Sequence, residues 1–263
     1  MARIKKKDIK VGIVIPVRNC LALTQAAIAS IKTKYPYQVI VVDHFSDQSM
    51  KDWLISQRNI ISLIDPTGTT GLAFNWNRGI QIAVDTYCTH ILVANNDILL
   101  HPKTIDNLVD RLLKDDVVMA TGVNNQGMCP NPVDIFTLTV GEFTETEHPD
   151  FSCFMITEQT IKKIGWFDEN FNGAYVEDCD YHARIALAGE KAITFNGAPY
   201  YHYASMTIRE NMHIASQIQQ HHAINEDYFR RKWGRAHVGD VPDMLQYYYK
   251  TPFNDPNKTI KDW

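Results

Sequence analysis

The chain has 263 residues, of which 45% are hydrophobic and 21% charged, a composition that excludes collagen-like, coiled-coil and disordered chains. Its 26 Lys and Arg against 30 Asp and Glu give a formal net charge of −4, so a dominant basic surface for nucleic acid is not indicated. The length fits one large domain, or one domain with a short appendage.

Targeting and redox signals point to the cytoplasm. No stretch approaches the ~20 consecutive apolar residues of a membrane span. The basic start, Met1–Lys7, is followed by an apolar run over Ile9–Val17 that is interrupted by Lys10, which does not fit a secretory signal. The five cysteines are scattered and form no Cys-x-x-Cys, a pattern that predicts neither a disulfide framework nor a zinc site.

The first 120 residues alternate short apolar, β-branched runs with helical patterns. The predicted strands are Val11–Val17, Tyr37–Asp43, Ile60–Ile64 and His90–Asn95. The predicted helices are Leu21–Lys34, Ser49–Gln57, Leu72–Thr86 and one that Pro102 opens at its first turn. This alternation predicts an α/β domain with a mostly parallel, Rossmann-like sheet and helices on both faces.

The pattern changes after residue 121, where Gly122–Pro149 is rich in Asn, Pro, Gly and Thr. The predicted strands here are Asp134–Val140, Phe151–Thr157, Lys191–Phe195 and Tyr200–Tyr203. The predicted helices are Glu158–Ile164, Asp178–Ala188 with Gly189 at its C-terminal end, and a long C-terminal helix over Ile208–Trp233.

Polar clusters follow the predicted strands, where ligands bind in open parallel sheets. They are Pro16–Asn19, Asp43–Asp47 and Asn95–Asp97, while Glu177–Asp180 opens a later helix. Each cluster alone is equally typical of turns and helix N-caps. The first strand is followed by neither G-x-G-x-x-G nor G-x-x-x-x-G-K-[ST], which excludes a Rossmann dehydrogenase and a P-loop enzyme.

Six segments in order carry a more specific signal. They are Val14–Asn19, Val41–Asp47, Gly71–Gly79, Leu92–Asp97, Ile164–Phe171 and Val176–Tyr181. Together they resemble the GT-A-type glycosyltransferases of family 2, which transfer a sugar from a nucleotide-sugar, and within them the rhamnosyltransferase-like subgroup. The resemblance implies a GT-A-like catalytic domain over 1–206, with a nucleotide-binding half to about residue 122 and an acceptor half over 123–206. A C-terminal helix and tail would follow over 207–263.

The resemblance implies that Asp43 accepts a hydrogen bond from the nucleotide base, as a carboxylate at a strand end can. The other predicted contacts of the nucleotide-sugar are Pro16, Val17, Arg18, Gly71, Asn75, Asn77, Arg78, Asn95 and Asn96. Simpler interpretations stay open for several of these residues: Asp43 as a turn cap, Arg18 as a solvated surface residue and Asn77 as a local cap.

Asn95-Asn96-Asp97 stands where the resembled family has its metal-binding D-x-D motif. Only Asp97 keeps a charged oxygen, the kind of ligand that Mg²⁺ and Mn²⁺ prefer. The resemblance implies that His202 completes the metal shell, which a neutral imidazole can do for Mn²⁺. The alternatives are that Asp97 only caps a helix and that His202 is one of ten coincidental histidines.

Glu177-Asp178 is the predicted catalytic pair. An inverting transfer needs a carboxylate to take the proton of the acceptor hydroxyl, and the resemblance assigns this base to Asp178, with Glu177 orienting the acceptor. Cys153, Trp166 and Tyr175 are the predicted acceptor-side residues. The alternatives are that the acidic residues only complement a helix dipole and that Cys153 is a buried filler.

The expected function is the metal-assisted transfer of a hexosyl or pentosyl group from a UDP-, dTDP- or GDP-sugar. The acceptor is open between a saccharide, a protein, a lipid-linked sugar and a modified nucleobase. The Arg230–Lys232 cluster with Arg235 could contact phosphates or complement a helix C-terminus. A nucleotidyltransferase or pyrophosphorylase is an alternative, although Arg18–Leu21 lacks its glycine- and basic-rich loop. An inactive nucleotide-sugar-binding module is another, suggested by Asn95 and Asn96.

Overall fold

The computed structural model describes residues 8–65, 68, 71–204, 206 and 212–233. The strands are β1 (Val11–Val17), β2 (Tyr37–His44), β3 (Ile60–Asp65), β4 (His90–Ala94), β5 (Ile98–Leu100), β6 (Met119–Asn124), β7 (Glu145–Thr146), β8 (Cys153–Thr157) and β9 (Ala192–His202). The α-helices are α1 (Leu21–Ala29), α2 (Gln48–Ser56), α3 (Leu72–Asp85), α4 (Thr104–Leu112), α5 (Glu158–Ile164), α6 (Glu177–Leu187) and α7 (Met212–Trp233).

All of these strands join one sheet in the order β3-β2-β1-β4-β8-β6-β9-β5, with β7 pairing on β9. Strands β1 to β4 are parallel to their neighbours in that group, as the alternation of strands and helices predicts. Strand β8 is antiparallel to β4 and β6, whereas β6 and β9 run parallel. The predicted parallel sheet is therefore confirmed for β1 to β4. The later strands β6, β8 and β9 pair in both parallel and antiparallel directions.

Helices cover both faces of the sheet, also as predicted. Successive side chains of a strand point to opposite faces, and in β1 Ile13 and Ile15 belong to a core cluster with α2 and α4. Val14 belongs to the other cluster, with α3, α5 and α6. A Cβ added at Gly79 would overlap Val14 Cγ1, so this glycine lets α3 lie directly against β1. The strands read as continuous apolar runs because both faces are buried.

Helix α1 ends earlier than the predicted residue 34. Ser30 stops it, because its hydroxyl donates to Ala27 O at 2.6 Å and accepts a bond from Leu100 N at 3.0 Å. Pro36 follows shortly afterwards and disfavours a helical conformation at the residue before it. The helical spacing of apolar residues therefore continues past Ala29, the last residue of α1.

The predicted strand Asp134–Val140 is wrong. A 3-10 helix, Pro132–Thr137, takes its place, opened by a capping box between Asn131 and Asp134. Ile135 is fully buried while Phe136 is exposed, which follows the short helix rather than a buried strand. The capping residues were the overlooked signal.

The predicted strands Lys191–Phe195 and Tyr200–Tyr203 form the single strand β9. The register of β6 against β9 shifts between Thr121 and Val123, so β9 continues through Gly197 and Pro199 with an irregularity in its pairing. Strand β5, with three residues, and strand β6, which runs into the segment from Gly122, were not predicted.

Helix α7 confirms the predicted C-terminal helix over its described part, Met212–Trp233. Residues 208–211 of that prediction, and the tail from 236, lie outside the described residues. Among the described residues, no helix has the length and apolar character needed to cross a membrane. The domain boundaries and the cytoplasmic location stay predictions.

Candidate functional site

Asp43 lies at the carboxyl end of β2, opposite Val17 of β1. Its side chain is fully buried, and its Oδ1 accepts the backbone N–H of Ser46 at 3.1 Å. Its Oδ2 has no hydrogen-bond partner within the described part of the chain. Burial raises the pKa of the Asp43 carboxyl, while the bond from Ser46 opposes the rise. Buried polar atoms without partners are uncommon, so Oδ2 is placed to bind a ligand donor.

Hydrogen bonds join the loop after β1 to the loop after β2, beside Asp43. The backbone N–H of Asn19 donates to Ser46 Oγ at 2.7 Å, and that of Asp47 donates to Asn19 Oδ1 at 2.7 Å. Asn19 and Cys20 both have positive φ, 59° and 56°, which turns the chain sharply from β1 into α1. Hydrogen bonds within the protein thus fix the loop at the carboxyl end of β2.

Arg18 and His44 extend this end of the site. Pro16 and Val17 are buried strand residues, whereas Arg18 is half-buried and burial lowers the pKa of its guanidinium. Burial, followed by the charge of Arg18, lowers the pKa of His44, while Asp65 acts in the opposite direction. His44 Nε2 has no partner among the described residues. Sequence analysis missed His44, although its place directly after Asp43 was a signal.

Asp97 and His202 meet although 105 residues separate them in the chain. Asp97 Oδ1 and His202 Nε2 lie 3.0 Å apart, and Asp97 is 5% exposed. The pairing of β5 with β9 places Ile98 opposite His202, and the N–H of Tyr203 donates to Asp97 O at 2.9 Å. Two long-range contacts therefore fix this pair.

The pair fits the divalent ion that the sequence predicts. A carboxylate and an imidazole are both ligands that Mn²⁺ accepts, and in this structure Asp97 Oδ1 and His202 Nε2 are hydrogen-bonded to each other. No group of three or more His, Cys, Asp or Glu in the described ranges could hold a metal. Mg²⁺-type sites need only one or two carboxylates, since substrate phosphates and water fill the remaining positions.

Asn96 occupies the middle position of Asn95-Asn96-Asp97, and its side chain has a structural role. Its side chain is buried, and its Nδ2 donates to Thr24 Oγ1 at 3.0 Å and to Asn19 O at 3.4 Å. An aspartate could donate neither bond, because an ionised carboxylate only accepts. Asn96 thus ties the loop after β4 to α1. Asn95 is half-buried, and its backbone N–H donates to Ser152 O at 2.9 Å.

The first turns of α3 contact the loop that precedes α6. The backbone N–H of Leu72 donates to Gly173 O at 2.6 Å, and a Cβ on Gly71 would lie 2.6 Å from Phe171 O. Asn75 is 1% exposed, and neither its Oδ1 nor its Nδ2 has a partner among the described residues. Asn75 is thus a second buried polar side chain that a ligand could satisfy.

Asn77 and Arg78 are placed differently from Asn75. Asn77 Nδ2 donates to Phe167 O at 2.8 Å and to Glu169 Oε1 at 2.9 Å, and its Oδ1 accepts the N–H of Phe167 at 3.0 Å. Its amide therefore links α3 to the segment after α5. Arg78 is exposed, with its guanidinium 4.8 Å from the ring centre of Phe74. Their predicted donor contacts stay predictions.

Glu177 begins α6 as a buried acid, 3% exposed. Burial, and secondarily the charge of Asp178, raise the pKa of Glu177 to about 8, although the backbone N–H groups of Glu177 and Tyr175 bond to its carboxylate. Its Oε2 has no partner in the described part of the chain. Asp178 is half-buried, and its Oδ1 accepts the N–H of Cys179 at 2.8 Å.

The turn into α6 has a strained backbone. Tyr175 and Val176 have φ of 79° and 78°, a region that β-branched residues rarely occupy. Such strain persists only where surrounding contacts impose it, and it is concentrated at functional sites. Asp180, one turn along α6, accepts bonds from Arg184 Nε at 2.9 Å and Trp233 Nε1 at 2.8 Å, and is therefore structural.

The three predicted acceptor-side residues lie in different surroundings. Tyr175 is 42% exposed, with its ring centre 5.1 Å from that of His222. Trp166 is half-buried, and its carbonyl accepts a bond from Arg184 Nη1 at 2.7 Å. Cys153 is fully buried in the core, and burial raises the pKa of its thiol. The burial of Cys153 favours its packing interpretation, and its acceptor-side role stays a prediction.

Sequence analysis missed the role of α7 at this site. Asn225, Phe229 and Trp233 are buried at spacings of four, so an asparagine in an apolar stripe was the available signal. The predicted basic cluster of α7 is largely paired. Lys232 Nζ lies 2.6 Å from both Asp168 Oδ2 and Asp180 Oδ1, and Arg231 pairs with Asp227 at 3.0 Å; Arg235 lies outside the described residues.

Comparisons with known sequences identify a family. The sequence model of glycosyl transferase family 2 matches residues 12–149, a little more than half of the chain. Chondroitin synthase of Pasteurella multocida is 24% identical over 248 residues, 74% of this chain and 25% of that protein. The low-salt glycan biosynthesis hexosyltransferase Agl10 of Haloferax volcanii is 25% identical over 166 residues, 56% of this chain and 53% of that protein. The chain thus spans a quarter to about half the length of these relatives.

Solved structures confirm the predicted GT-A-like fold. The mannosyltransferase PcManGT from Pyrobaculum calidifontis, solved with GDP-Man and Mn²⁺, has a TM-score of 0.58 at 17% identity and covers 94% of this chain and 72% of its own. GalNAc-T7, solved with UDP, GalNAc and Mn²⁺, has a TM-score of 0.62 at 13% identity and covers 98% of this chain and 56% of its own. None of these four proteins is described as a rhamnosyltransferase, so the predicted subgroup stays a prediction.

Proposed function

Because the chain belongs to glycosyl transferase family 2, we propose that it transfers a glycosyl group from a nucleoside-diphosphate sugar to an acceptor hydroxyl. The donor carries a UDP, dTDP or GDP moiety and a hexosyl or pentosyl group. The single observation that carries the proposal is the contact of Asp97 with His202, 3.0 Å apart, at the strand ends where the buried Asp43 also lies.

Asp43 supplies base recognition. Its unpartnered Oδ2 accepts an N–H of the nucleotide base, which offsets the desolvation that raises the pKa of the carboxyl in the free protein. Pro16, Val17 and Arg18 form the neighbouring wall. Arg18 is half-buried and able to stack on the base or pair with a phosphate.

Asp97 and His202 would hold the divalent ion, Mn²⁺ or Mg²⁺, with the donor phosphates as further ligands. When bound, the ion neutralises charge that develops on the departing diphosphate. Gly71, Asn75, Asn77, Arg78, Asn95 and Asn96 complete the donor side. Among them Asn75 offers both an N–H donor and an oxygen acceptor with no other partner in the described residues.

Asp178 acts as the general base. Its carboxylate takes the proton of the acceptor hydroxyl, and the acceptor oxygen then bonds to the anomeric carbon. The bond from that carbon to the phosphate oxygen breaks, and the nucleoside diphosphate leaves with the electron pair, so the configuration inverts. Glu177, with a pKa of about 8, is protonated at neutral pH and donates a hydrogen bond that orients the acceptor. Tyr175 and Trp166 lie on the acceptor side.

A donor panel separates this proposal from its rivals. UDP-, dTDP- and GDP-sugars are incubated with the protein, with and without Mn²⁺, and the nucleotide products are resolved by chromatography. A glycosyltransferase releases the nucleoside diphosphate from one donor, even when water replaces the acceptor. Formation of a nucleoside triphosphate on addition of pyrophosphate would instead identify a pyrophosphorylase. Donor binding in calorimetry without any product would identify an inactive binding module.

A further inference from the structure

Asn225 of α7 binds the turn that precedes α6, defined here as turn 172–176. Its Nδ2 donates to Asn172 O at 2.9 Å, to Tyr175 O at 2.9 Å and to Ala174 O at 3.4 Å. Its Oδ1 accepts the backbone N–H of Asn172 at 3.1 Å. Asn225 is fully buried, so one side chain contacts three carbonyls and one N–H of this turn from inside.

Turn 172–176 needs such support, because its backbone is unfavourable on its own. Gly173 has a φ of 68°, and Tyr175 and Val176 have φ of 79° and 78°. Left-handed backbone at residues other than glycine is unfavourable when nothing imposes it. The bonds from Asn225 to the carbonyls of Asn172, Ala174 and Tyr175 hold the backbone in that conformation.

The conformation of turn 172–176 determines where Glu177 points. The backbone N–H groups of Tyr175 and Glu177 bond to the Glu177 carboxylate, and Asp178 follows directly. A change in φ at Tyr175 or Val176 would therefore rotate both carboxyl groups away from their present positions.

His222 of α7 also contacts the turn, with its ring centre 5.1 Å from that of Tyr175, while other residues of α7 bind elsewhere. Tyr228 OH donates to Asp168 Oδ2 at 2.9 Å. Lys232 and Trp233 bind Asp180 of α6. Among the described residues of α7, the side-chain hydrogen bonds to the backbone of turn 172–176 come from Asn225.

We propose that Asn225 is a positioning residue for glycosyl transfer: it holds turn 172–176 in its left-handed conformation and so aims Glu177 and Asp178 at the acceptor hydroxyl. This inference rests on the proposed function and extends it to a helix outside the segment matched by the family. Asparagine suits this role because it carries both a donor and an acceptor. Aspartate has nearly the same shape but would turn a carboxylate oxygen towards three carbonyls.

The test compares three variants of the full chain. Asn225→Ala removes all the bonds to the turn, and Asn225→Asp keeps the volume and the acceptor for Asn172 N–H but removes the donors. Tyr228→Phe is the matched control, because it removes one buried side-chain bond of α7 and leaves the turn untouched. Each variant is measured for donor affinity by calorimetry and for single-turnover release of nucleoside diphosphate from the donor that the panel identifies.

Both Asn225 variants are expected to lower the single-turnover rate by roughly 10²-fold, the scale of a small misplacement of reacting groups, with unchanged donor affinity. Tyr228→Phe is expected to keep the wild-type rate. A wild-type rate in Asn225→Asp, or an equal loss in Tyr228→Phe, would overturn the positioning role. A wild-type protein that binds and turns over no donor would instead overturn the proposed function.

Amide hydrogen exchange gives a readout that needs no donor. In the wild type, the amide of Asn172 is expected to be protected, because it donates to Asn225 Oδ1. In Asn225→Ala, peptides covering 172–177 exchange faster, while those of β1 to β4 are unchanged. Rapid exchange of this turn in the wild type would overturn the inference, even if neither variant can be purified.

Discussion

Asp43 and Glu177 are both buried acids with one oxygen that has no partner in the described residues, but they are held in opposite ways. Asp43 is the next-to-last residue of β2, which pairs with β1 from Tyr37 to Asp43, and its bond partner, Ser46, is three residues away. Glu177 follows a strained turn that a helix 50 residues further along the chain holds in place. The proposed donor side around Asp43, called the donor end here, is thus held by the sheet and its adjacent loops. The proposed acceptor side around Glu177 and Asp178, called the acceptor end, depends on a distant residue, Asn225.

The largest expected effect tests the acceptor end. Asp178→Asn keeps the shape of the side chain but removes the base, and general-base catalysis contributes typically ~10²–10⁴-fold. Transfer should fall by that factor with donor affinity nearly unchanged, because the base acts only in the transition state. Single-turnover transfer and donor titration measure the two quantities. A variant that keeps most of the wild-type rate would leave Asp178 as a helix-terminal residue.

The next largest expected effect concerns Asp97 and His202, the proposed metal ligands. Asp97→Asn and His202→Ala each remove one ligand of the proposed ion, which is worth several kcal/mol of charge stabilisation. Both should abolish the Mn²⁺ dependence of donor binding and most of the turnover, as measured by calorimetry and product release. Full wild-type activity in excess chelator would contradict this assignment and leave Asn95 and Asn96 as direct diphosphate contacts.

Glu177 makes the free energy of unfolding of the protein depend on pH. The folded protein retains the proton of Glu177 up to a pKa of about 8, against an ordinary value of 4.5. Between these values only the unfolded chain has released the proton, so this group's contribution to stability falls as pH rises, by roughly 1.4 kcal/mol per pH unit. Above pH 8 the contribution stays lost.

Glu177→Gln should remove that slope, because glutamine does not titrate. Denaturant unfolding at several pH values from 5 to 8 should show the variant gaining stability relative to the wild type as pH rises. Glu158→Gln is the control, since Glu158 is exposed and forms a surface ion pair with Lys162, and its curve should run parallel to the wild type. A parallel curve for Glu177→Gln as well would contradict the raised pKa.

The smallest effect tests the donor end. Asp43→Ala should weaken nucleotide binding by roughly 1–3 kcal/mol, the scale of a hydrogen bond to a charged group, as calorimetry with the free nucleotide would show. Asp47→Ala is the matched control in the same loop. Asp47 caps α2 through Met50 N at 3.0 Å, so its loss should lower stability by about 1 kcal/mol without changing affinity. Equal affinities in all three proteins would remove Asp43 from the site.

The sequence predicted the structure around Asp43 better than the structure around Glu177, for a physical reason. Strands β1, β2 and β4 are short apolar runs followed by polar residues, so their bounds and the cluster around Asp43 can be read locally. The meeting of Asp97 with His202 came only from the resemblance, because β5 is too short to recognise and 105 residues intervene.

The unpredicted features depend on contacts that no local pattern encodes. Asn96 appeared to weaken the metal motif, but its bond to Thr24 accounts for an amide at that position. The support of turn 172–176 by Asn225 spans about 50 residues. A helical pattern identifies α7 and its buried stripe but cannot say which turn that stripe covers.

The most direct test of the whole account is a crystal structure of the protein with the donor that the panel identifies and Mn²⁺. The account predicts the base against Asp43 Oδ2, anomalous density for Mn²⁺ at Asp97 and His202, and the sugar directed towards Glu177 and Asp178. A nucleotide bound away from Asp43, or Mn²⁺ bound at other residues, would contradict it.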